Sequence, residues 1–434
     1  MSPLHASLSL FHLFEQVLPG NYQQQAYRQG AFARVRKFAS PRQLLQTLLV
    51  YCVMDFSLRT CAGQFAGRQG YISDTAILKR FRRCVPWVQA LAAQVMAPAQ
   101  RLMEGGLRFV VIDGSTVQAP GAKGTSYRLH LAMDLIRLTL LQVKVTDDRQ
   151  GESLNHYDLG EGDVALIDRG YNQPGSLVPA IDRGVDVVLR YNPHSMSLYH
   201  RDGAEDAALR RVDWSVHAKA LDNKPDHVPV YLCHGNKRMD GIVHLIPLPE
   251  DKIEEARRKL RERSKQKGYT PSESALLLAG WVLIFTTLPL EVLDTESAGQ
   301  LYRVRWQVEL VIKRLKSLLN IDLLRAREGS LLSEVYLHGK LLYAAVLEKL
   351  RQQRFGLTGG ELDTSRQETP WRLMTLLGAE VAAWIGLHDK QDPTLMADVI
   401  RAMRERPRKR RLQSLPDKVQ ALIQDCRSMG LSNV

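Results

Sequence analysis

Two stretches with the same grammar decide the fold: RFVVIDGST, residues 108–116, and DVALIDRGY, residues 163–171. Each is an apolar run of strand length that reaches an aspartate, Asp113 or Asp168, with a glycine one or two residues on. A strand apolar throughout is buried on both faces. A carboxylate at its last position then lies at the sheet's edge, where open α/β sheets bind ligands. Gly114 and Gly170 let the chain turn away. Either aspartate could instead simply open a turn, a common role for Asp, so neither stretch is decisive alone.

Outward from these runs, Arg128 to Met133, Leu138 to Val145 and Val185 to Leu189 also read as strands, separated by turn residues. Strands in this density with helices after them predict a mixed sheet covered by helices. From about Tyr191 to Pro289 the core is interrupted by a mainly β insertion, with strands near Val228 to Cys233, Ile242 to Ile246 and Trp281. The insertion also holds a charged run, Asp251 to Lys267, whose alternating signs suit a solvated helix. The apolar stretch Ala275 to Leu290 is too short to span a bilayer and reads as a buried strand. The expected organisation is a helical region over residues 1–104, a core over 105–190 and 290–325, the insertion over 191–289, and a helical region over 326–434.

The third acidic candidate lies on AGQLYRVRWQVELVIKRLKSLLN, residues 298–320. On one continuous helix of about 100° per residue, Tyr302, Arg305, Glu309 and Lys316 share a stripe beside the apolar face of Leu301, Val304, Val308, Val311, Leu315 and Leu319. A freely solvated polar face would sit opposite the apolar one. Glu309 is thus set at the margin of the core, though an exposed Arg305–Glu309 pair is the simpler alternative.

Three neighbouring carboxylates repel, each pair at about 4 Å costing on the order of 1 kcal/mol in water and more where partly buried. A divalent cation removes that penalty, and hard oxygen ligands suit Mg²⁺ or Mn²⁺. Two such ions can activate an attacking hydroxyl and stabilise a leaving oxygen in phosphodiester displacement. Arg305 and Lys316 would hold phosphate, and Tyr302 could donate a hydrogen bond to it.

The 434 residues carry 59 Lys and Arg against 46 Asp and Glu, a net charge of +13 that favours a polyanionic partner. With 45% hydrophobic and 24% charged residues, the chain is neither disordered nor fibrous in class. Near the N-terminus, Ser73 reads as a helix cap, and SDTAILKRFRRC, residues 73–84, sets Lys79, Arg80, Arg82 and Arg83 opposite an apolar face. That suits a solvated helix or one lying along DNA phosphates. Arg404 to Arg411, RERPRKRR, reads as an exposed basic linker. The five cysteines have no metal-binding spacing and read as reduced packing residues. No secretory signal is legible, so a cytoplasmic protein without membrane partners is the expectation.

In order and spacing, Tyr302, Arg305, Glu309 and Lys316 resemble the Y-R-E-K signature of the insertion-sequence-four family of bacterial DDE transposases. IDGST at Asp113 and DRGY at Asp168 are similar to that family's two aspartate motifs. The resemblance implies a ribonuclease-H-like core with Asp113, Asp168 and Glu309 as catalytic residues holding two Mg²⁺ or Mn²⁺ ions. It further implies cut-and-paste transposition, through a DNA hairpin, by a homodimer bound to terminal inverted repeats and target DNA, in a nucleoid-associated protein. Relatives stack a flipped base on an aromatic side chain, for which Trp214, Trp281 and Trp306 are the candidates here. A nuclease without strand transfer and a non-catalytic DNA-binding repressor are the competing functions.

Overall fold

The structure, a computed structural model, describes residues 14–96, 106–135, 139–201, 209–355, 378 and 393–403. Its centre is a sheet in which β1 (Arg108–Val117), β2 (Tyr127–Asp134), β3 (Thr139–Asp147), β4 (Asp163–Ile167), β5 (Asp186–Arg190), β6 (Tyr199–His200), β7 (Asp226–His234), β8 (Lys237–Pro247) and β9 (Trp281–Thr286) take the order β3-β2-β1-β4-β5-β9-β8-β7-β6. Strands β1, β4 and β5 run parallel to one another, and the other pairings are antiparallel. This is the mixed sheet flanked by helices of a ribonuclease-H-like fold.

Burial on both faces is what the apolar runs required. Val110 and Ile112 of β1, Ala165 and Ile167 of β4, and Val187 and Leu189 of β5 enter one core. The alternate residues Val111, Val164, Leu166 and Val188 enter another on the opposite face. At period two, each central strand supplies both layers.

Helices α1 (Pro41–Val53) and α2 (Val85–Met96) precede the sheet, and α3 (Pro174–Asp182) packs Leu177, Val178 and Ala180 into the first core. Helix α4 (Glu250–Gln266) is solvated and laced with local ion pairs such as Lys259–Glu255 and Arg257–Glu254, both at 2.7 Å. Helices α5 (Thr295–Val304) and α6 (Trp306–Leu319) cover the opposite face through Ala298 and Val308. Helix α7 (Leu331–Phe355) lies against α1 and α2. Gly339 permits its close approach to α1: a Cβ there would overlap the Cys52 sulfur and stand 3.1 Å from Leu48 Cδ2.

The strands of the mainly β insertion, residues 191–289, extend the core's own sheet, because β9 pairs with β5 on one side and β8 on the other. Ala275 to Leu290 is not one strand: Ser272 accepts a hydrogen bond from the Ala275 amide at 3.2 Å and starts the helix Glu273–Leu278, so β9 begins only at Trp281. Past Leu319 the chain leaves the helix. Asn320 turns in the left-handed region at φ 47°, and residues 321–324 run beside the end of β1, with the Gln118 amide donating to the Asp322 carbonyl at 2.8 Å.

A second compact unit comprises residues 57–77 and 390–434. In its described part the helix Leu58–Gln69 is capped by Ser57 and packs with the helix Met396–Met403. Asp398 accepts a hydrogen bond from the Tyr71 amide at 3.1 Å, and the Arg401 guanidinium lies 4.1 Å from the Tyr71 ring centre. The basic linker Arg404 to Arg411 lies outside the described residues. Cys52, Cys61 and Cys84 are buried and Cys233 is half-buried, all as thiols rather than disulfides, and Cys426 lies outside the described residues. No helix among the described residues is long and apolar enough to cross a membrane.

Candidate active site

Asp113 and Asp168 come together because β1 and β4 are parallel neighbours, Val111 pairing with Leu166. Beyond that pair the two strands separate. Asp168 directly follows β4 and caps the short turn Arg169–Tyr171, its Oδ1 accepting from the Gly170 amide at 2.8 Å. Asp113 does not end its strand, contrary to the sequence expectation: β1 continues to Val117, held by antiparallel pairing with β2, in which Asp113 faces Leu131. The carboxylate stands instead where β1 parts from β4. Its Oδ1 accepts from the Gly114 amide at 2.8 Å, the same device Asp168 uses with Gly170.

The expected continuous helix over residues 298–320 is broken at Arg305, between α5 and α6. Tight three-residue bonds mark the break, from the Arg305 amide to Tyr302 and from the Val308 amide to Arg305, each 3.2 Å. Because the rotation per residue changes there, Val304 leaves the apolar face and is 41% exposed, while Val308 is fully buried. Arg305 is itself turned inward. It reaches Glu309 Oε1 at 3.0 Å and Asp113 Oδ2 at 3.5 Å, with its guanidinium 5.8 Å from the centre of the Tyr302 ring.

The electrostatics follow from this crowding. Burial raises the Asp113 pKa, the charges of Asp168 and Glu309 raise it further, and the Gly114 amide and Arg305 oppose them. For Arg305, burial works against the charge, but Tyr302 and then Asp113, Asp168 and Glu309 outweigh it and hold the proton more tightly. Burial also raises the Tyr302 pKa, with Arg305 and Arg190 opposing. Asp113, Asp168, Glu309, Arg305 and Tyr302 are therefore one electrostatic group. Lys316, about two turns beyond Glu309, is half-buried, and no hydrogen bond or ion pair holds it among the described residues.

Elsewhere, Ser73 caps its helix as expected, accepting from the Ala76 amide at 3.2 Å. That helix ends at Phe81, so Arg82 and Arg83 sit on the following tight turn. Lys79, Arg82 and Arg83 are exposed and Arg80 is half-buried. Of the three tryptophans, Trp214 and Trp281 are buried core residues, and Trp306 is 52% exposed with Lys313 stacked 5.3 Å from its ring centre.

Three residues at this edge escaped the sequence reading. Arg169 and Arg190 border Tyr302 and Asp168, and the Arg190 Nε is buried without a hydrogen-bond partner among the described residues. Glu152 is half-buried beside both aspartates: burial raises its pKa, and the charges of Asp168 and Asp113 raise it further. The adjacent glycine motifs were the available signal for Glu152, since they leave room for a third group.

The donor set suits a hard divalent cation. Asp113, Asp168 and Glu309 offer carboxylate oxygens and no soft ligand, and their mutual repulsion calls for a positive charge, in part supplied by Arg305. Among the described residues no group of three or more acidic, histidine or cysteine side chains forms a ready metal cage. An open arrangement is compatible with Mg²⁺, which keeps several waters and takes few protein ligands.

The chain also matches known proteins. Residues 104–335 match the family described as Transposase DDE domain. The InsL protein of insertion sequence element IS186A from Escherichia coli (strain K12), named a putative transposase, is 28% identical over 74% of this chain and 88% of its own length. The transposase for insertion sequence element IS421 from Escherichia coli is 28% identical over 65% of this chain and 76% of its own. The transposase for insertion sequence element IS231C from Bacillus thuringiensis subsp. berliner is 24% identical over 80% of this chain and 81% of its own. With more than half its length matched to that domain, and its acidic groups gathered where the sheet opens, the chain belongs to the family of bacterial DDE transposases.

Proposed function

We propose that this chain is the transposase of an insertion sequence of the insertion-sequence-four type, cutting and joining DNA with Asp113, Asp168 and Glu309 as its catalytic carboxylates. The observation that carries this reading is Arg305 bridging Asp113 and Glu309 beside Asp168, a cation already drawn into a cluster of acids. The three carboxylates would hold two Mg²⁺ or Mn²⁺ ions, which supply an activated hydroxyl and stabilise the leaving oxygen. Arg305, once its acidic neighbours are otherwise neutralised, presents a planar fork to a DNA phosphate, and Lys316 adds a point charge. Tyr302, packed under Arg305, positions that fork and offers its hydroxyl to the same phosphate. Trp306 is exposed and able to stack on a flipped base during hairpin formation.

The substrate in this proposal is double-stranded DNA, the terminal inverted repeats and the target, engaged by a homodimer in the bacterial cytoplasm at the nucleoid. The helical N-terminal region would add phosphate contacts through Lys79, Arg80, Arg82 and Arg83.

The test is incubation with duplexes carrying the inverted repeats that flank the gene, with and without Mg²⁺. Metal-dependent cleavage at the repeat ends, followed by joining to a target, is expected. The variants Asp113→Asn, Asp168→Asn and Glu309→Gln should bind these duplexes and cut nothing. Cleavage without joined products would favour a nuclease, and binding without cleavage would favour a repressor.

A further inference from the structure

The sequence GESLNHY, residues 151–157, has no strand or helix periodicity and lies between β3 and β4. Its acid, Glu152, is nevertheless tightly placed. Two glycines make its place: a Cβ on Gly170 would overlap Glu152 Oε2, and a Cβ on Gly114 would stand 3.2 Å from Glu152 Oε1. The same absent side chain of Gly170 would stand 3.1 Å from Asp168 Oδ1, so Glu152 and Asp168 border one small space. Glu152 therefore lies between the glycines that follow the two aspartates.

The loop is held there from both sides. The His156 ring bonds the Gly151 carbonyl at 3.0 Å, Gln142 of β3 donates to the His156 carbonyl at 3.2 Å, and the Tyr157 hydroxyl meets that of Tyr171 at 3.0 Å. Leu154 is fully buried. Yet no hydrogen bond or ion pair engages the Glu152 carboxylate among the described residues. A half-buried acid aimed at two other acids, with its loop fixed and its oxygens unengaged, is costly unless a cation joins them.

We infer that Glu152 is a fourth acidic ligand of the divalent-ion site, contributed by the β3–β4 loop between Asp113 and Asp168. This rests on the metal-binding role proposed above for Asp113, Asp168 and Glu309. Two divalent ions beside Arg305 carry more positive charge than three carboxylates balance, and Glu152 adds a fourth negative charge. Gly170 is then required because a side chain would displace a ligand.

The experiment is Mn²⁺ titration of the full chain, without DNA, by calorimetry and electron paramagnetic resonance. Glu152→Gln should weaken Mn²⁺ binding roughly 10–100-fold while keeping the thermal transition measured in chelator at or above that of the native chain, since a repulsive charge is removed. Gly170→Ala should weaken binding similarly, and the double variant should be little worse than either single one. Native Mn²⁺ affinity in folded Glu152→Gln, with loss in Asp113→Asn, would overturn the role of Glu152 and leave the three-carboxylate reading standing. Absence of Mn²⁺ binding by the native chain would overturn both.

Discussion

Lys340 and Arg305 both turn inward to meet carboxylates, and the two meetings are solved in opposite ways. Lys340 of α7 is fully buried and reaches Asp55 at 2.8 Å, while Asp55 also accepts from Tyr336 and, at 3.1 Å, from Asn320. The ammonium further donates to the Leu319 and Asn320 carbonyls at the end of α6. Burial opposes the Asp55 charge, but hydrogen bonds from Lys340, Tyr336 and Asn320 outweigh it and lower its pKa. Arg305 by contrast faces Asp113 and Glu309, with Asp168 close by, and the Asp113 pKa is raised. The first arrangement is balanced from the carboxylate's side, although burial still lowers the Lys340 pKa; the second has more acids than its one guanidinium neutralises. Perturbation of Asp55 and Asp113 in opposite directions is the contrast on which the proposed site rests.

The largest effect should come from the unbalanced region. Glu309→Gln is expected to reduce Mg²⁺-dependent end cleavage by about ten-thousandfold, ~5 kcal/mol of transition-state stabilisation, with little change in urea unfolding. Appreciable cleavage by this variant would erase the contrast. In the balanced region, Lys340→Met leaves Asp55 poorly compensated and should cost about 3–5 kcal/mol of stability, read from urea unfolding. Pairing it with Asp55→Leu should recover part of that loss; a double variant no better than Lys340→Met would show that the pair acts through packing alone.

Arg305→Ala should cost less, about 1–3 kcal/mol in chelator, and added Mn²⁺ should restore more stability to it than to the native chain. Equal metal effects in both would deny that Arg305 neutralises the same acids. The smallest effect is a pH dependence near Lys340. Burial lowers the His338 pKa to about 4, below its unfolded value near 6.5. A depressed histidine contributes stability above about pH 6.5 that is lost as pH falls toward 4. His338→Gln, which can still meet Gln89, should flatten unfolding stability over that window.

Much of this was legible in sequence. The apolar runs ending near Asp113 and Asp168 located β1 and β4 because a strand buried on both faces has few polar positions, and the stripe beside Val308 pointed to Arg305 and Glu309, which the fold brings to Asp113. The break at Arg305 was not legible: no proline or glycine marks it, and inward contacts of Arg305 with Asp113 stabilise it only in the folded chain. Glu152 lacked a periodic signal because loop position depends on Gln142, Tyr157 and Tyr171. Lys340, a cation in an otherwise apolar stretch of helix, finds its partner far back in the chain, at Asp55. That β9 would join β5 to β8 depended on strand pairing, which residue patterns leave open.

The most direct measurement replaces Mg²⁺ with Fe²⁺ and adds ascorbate and peroxide, so that radicals formed at the bound ion cut the nearby backbone. Cuts near Asp113, Asp168 and Glu309, lost together in Glu309→Gln and outcompeted by Mg²⁺, are the predicted pattern. Cuts confined to other segments, or unaffected by Mg²⁺, would contradict the claim that these acids share a metal site.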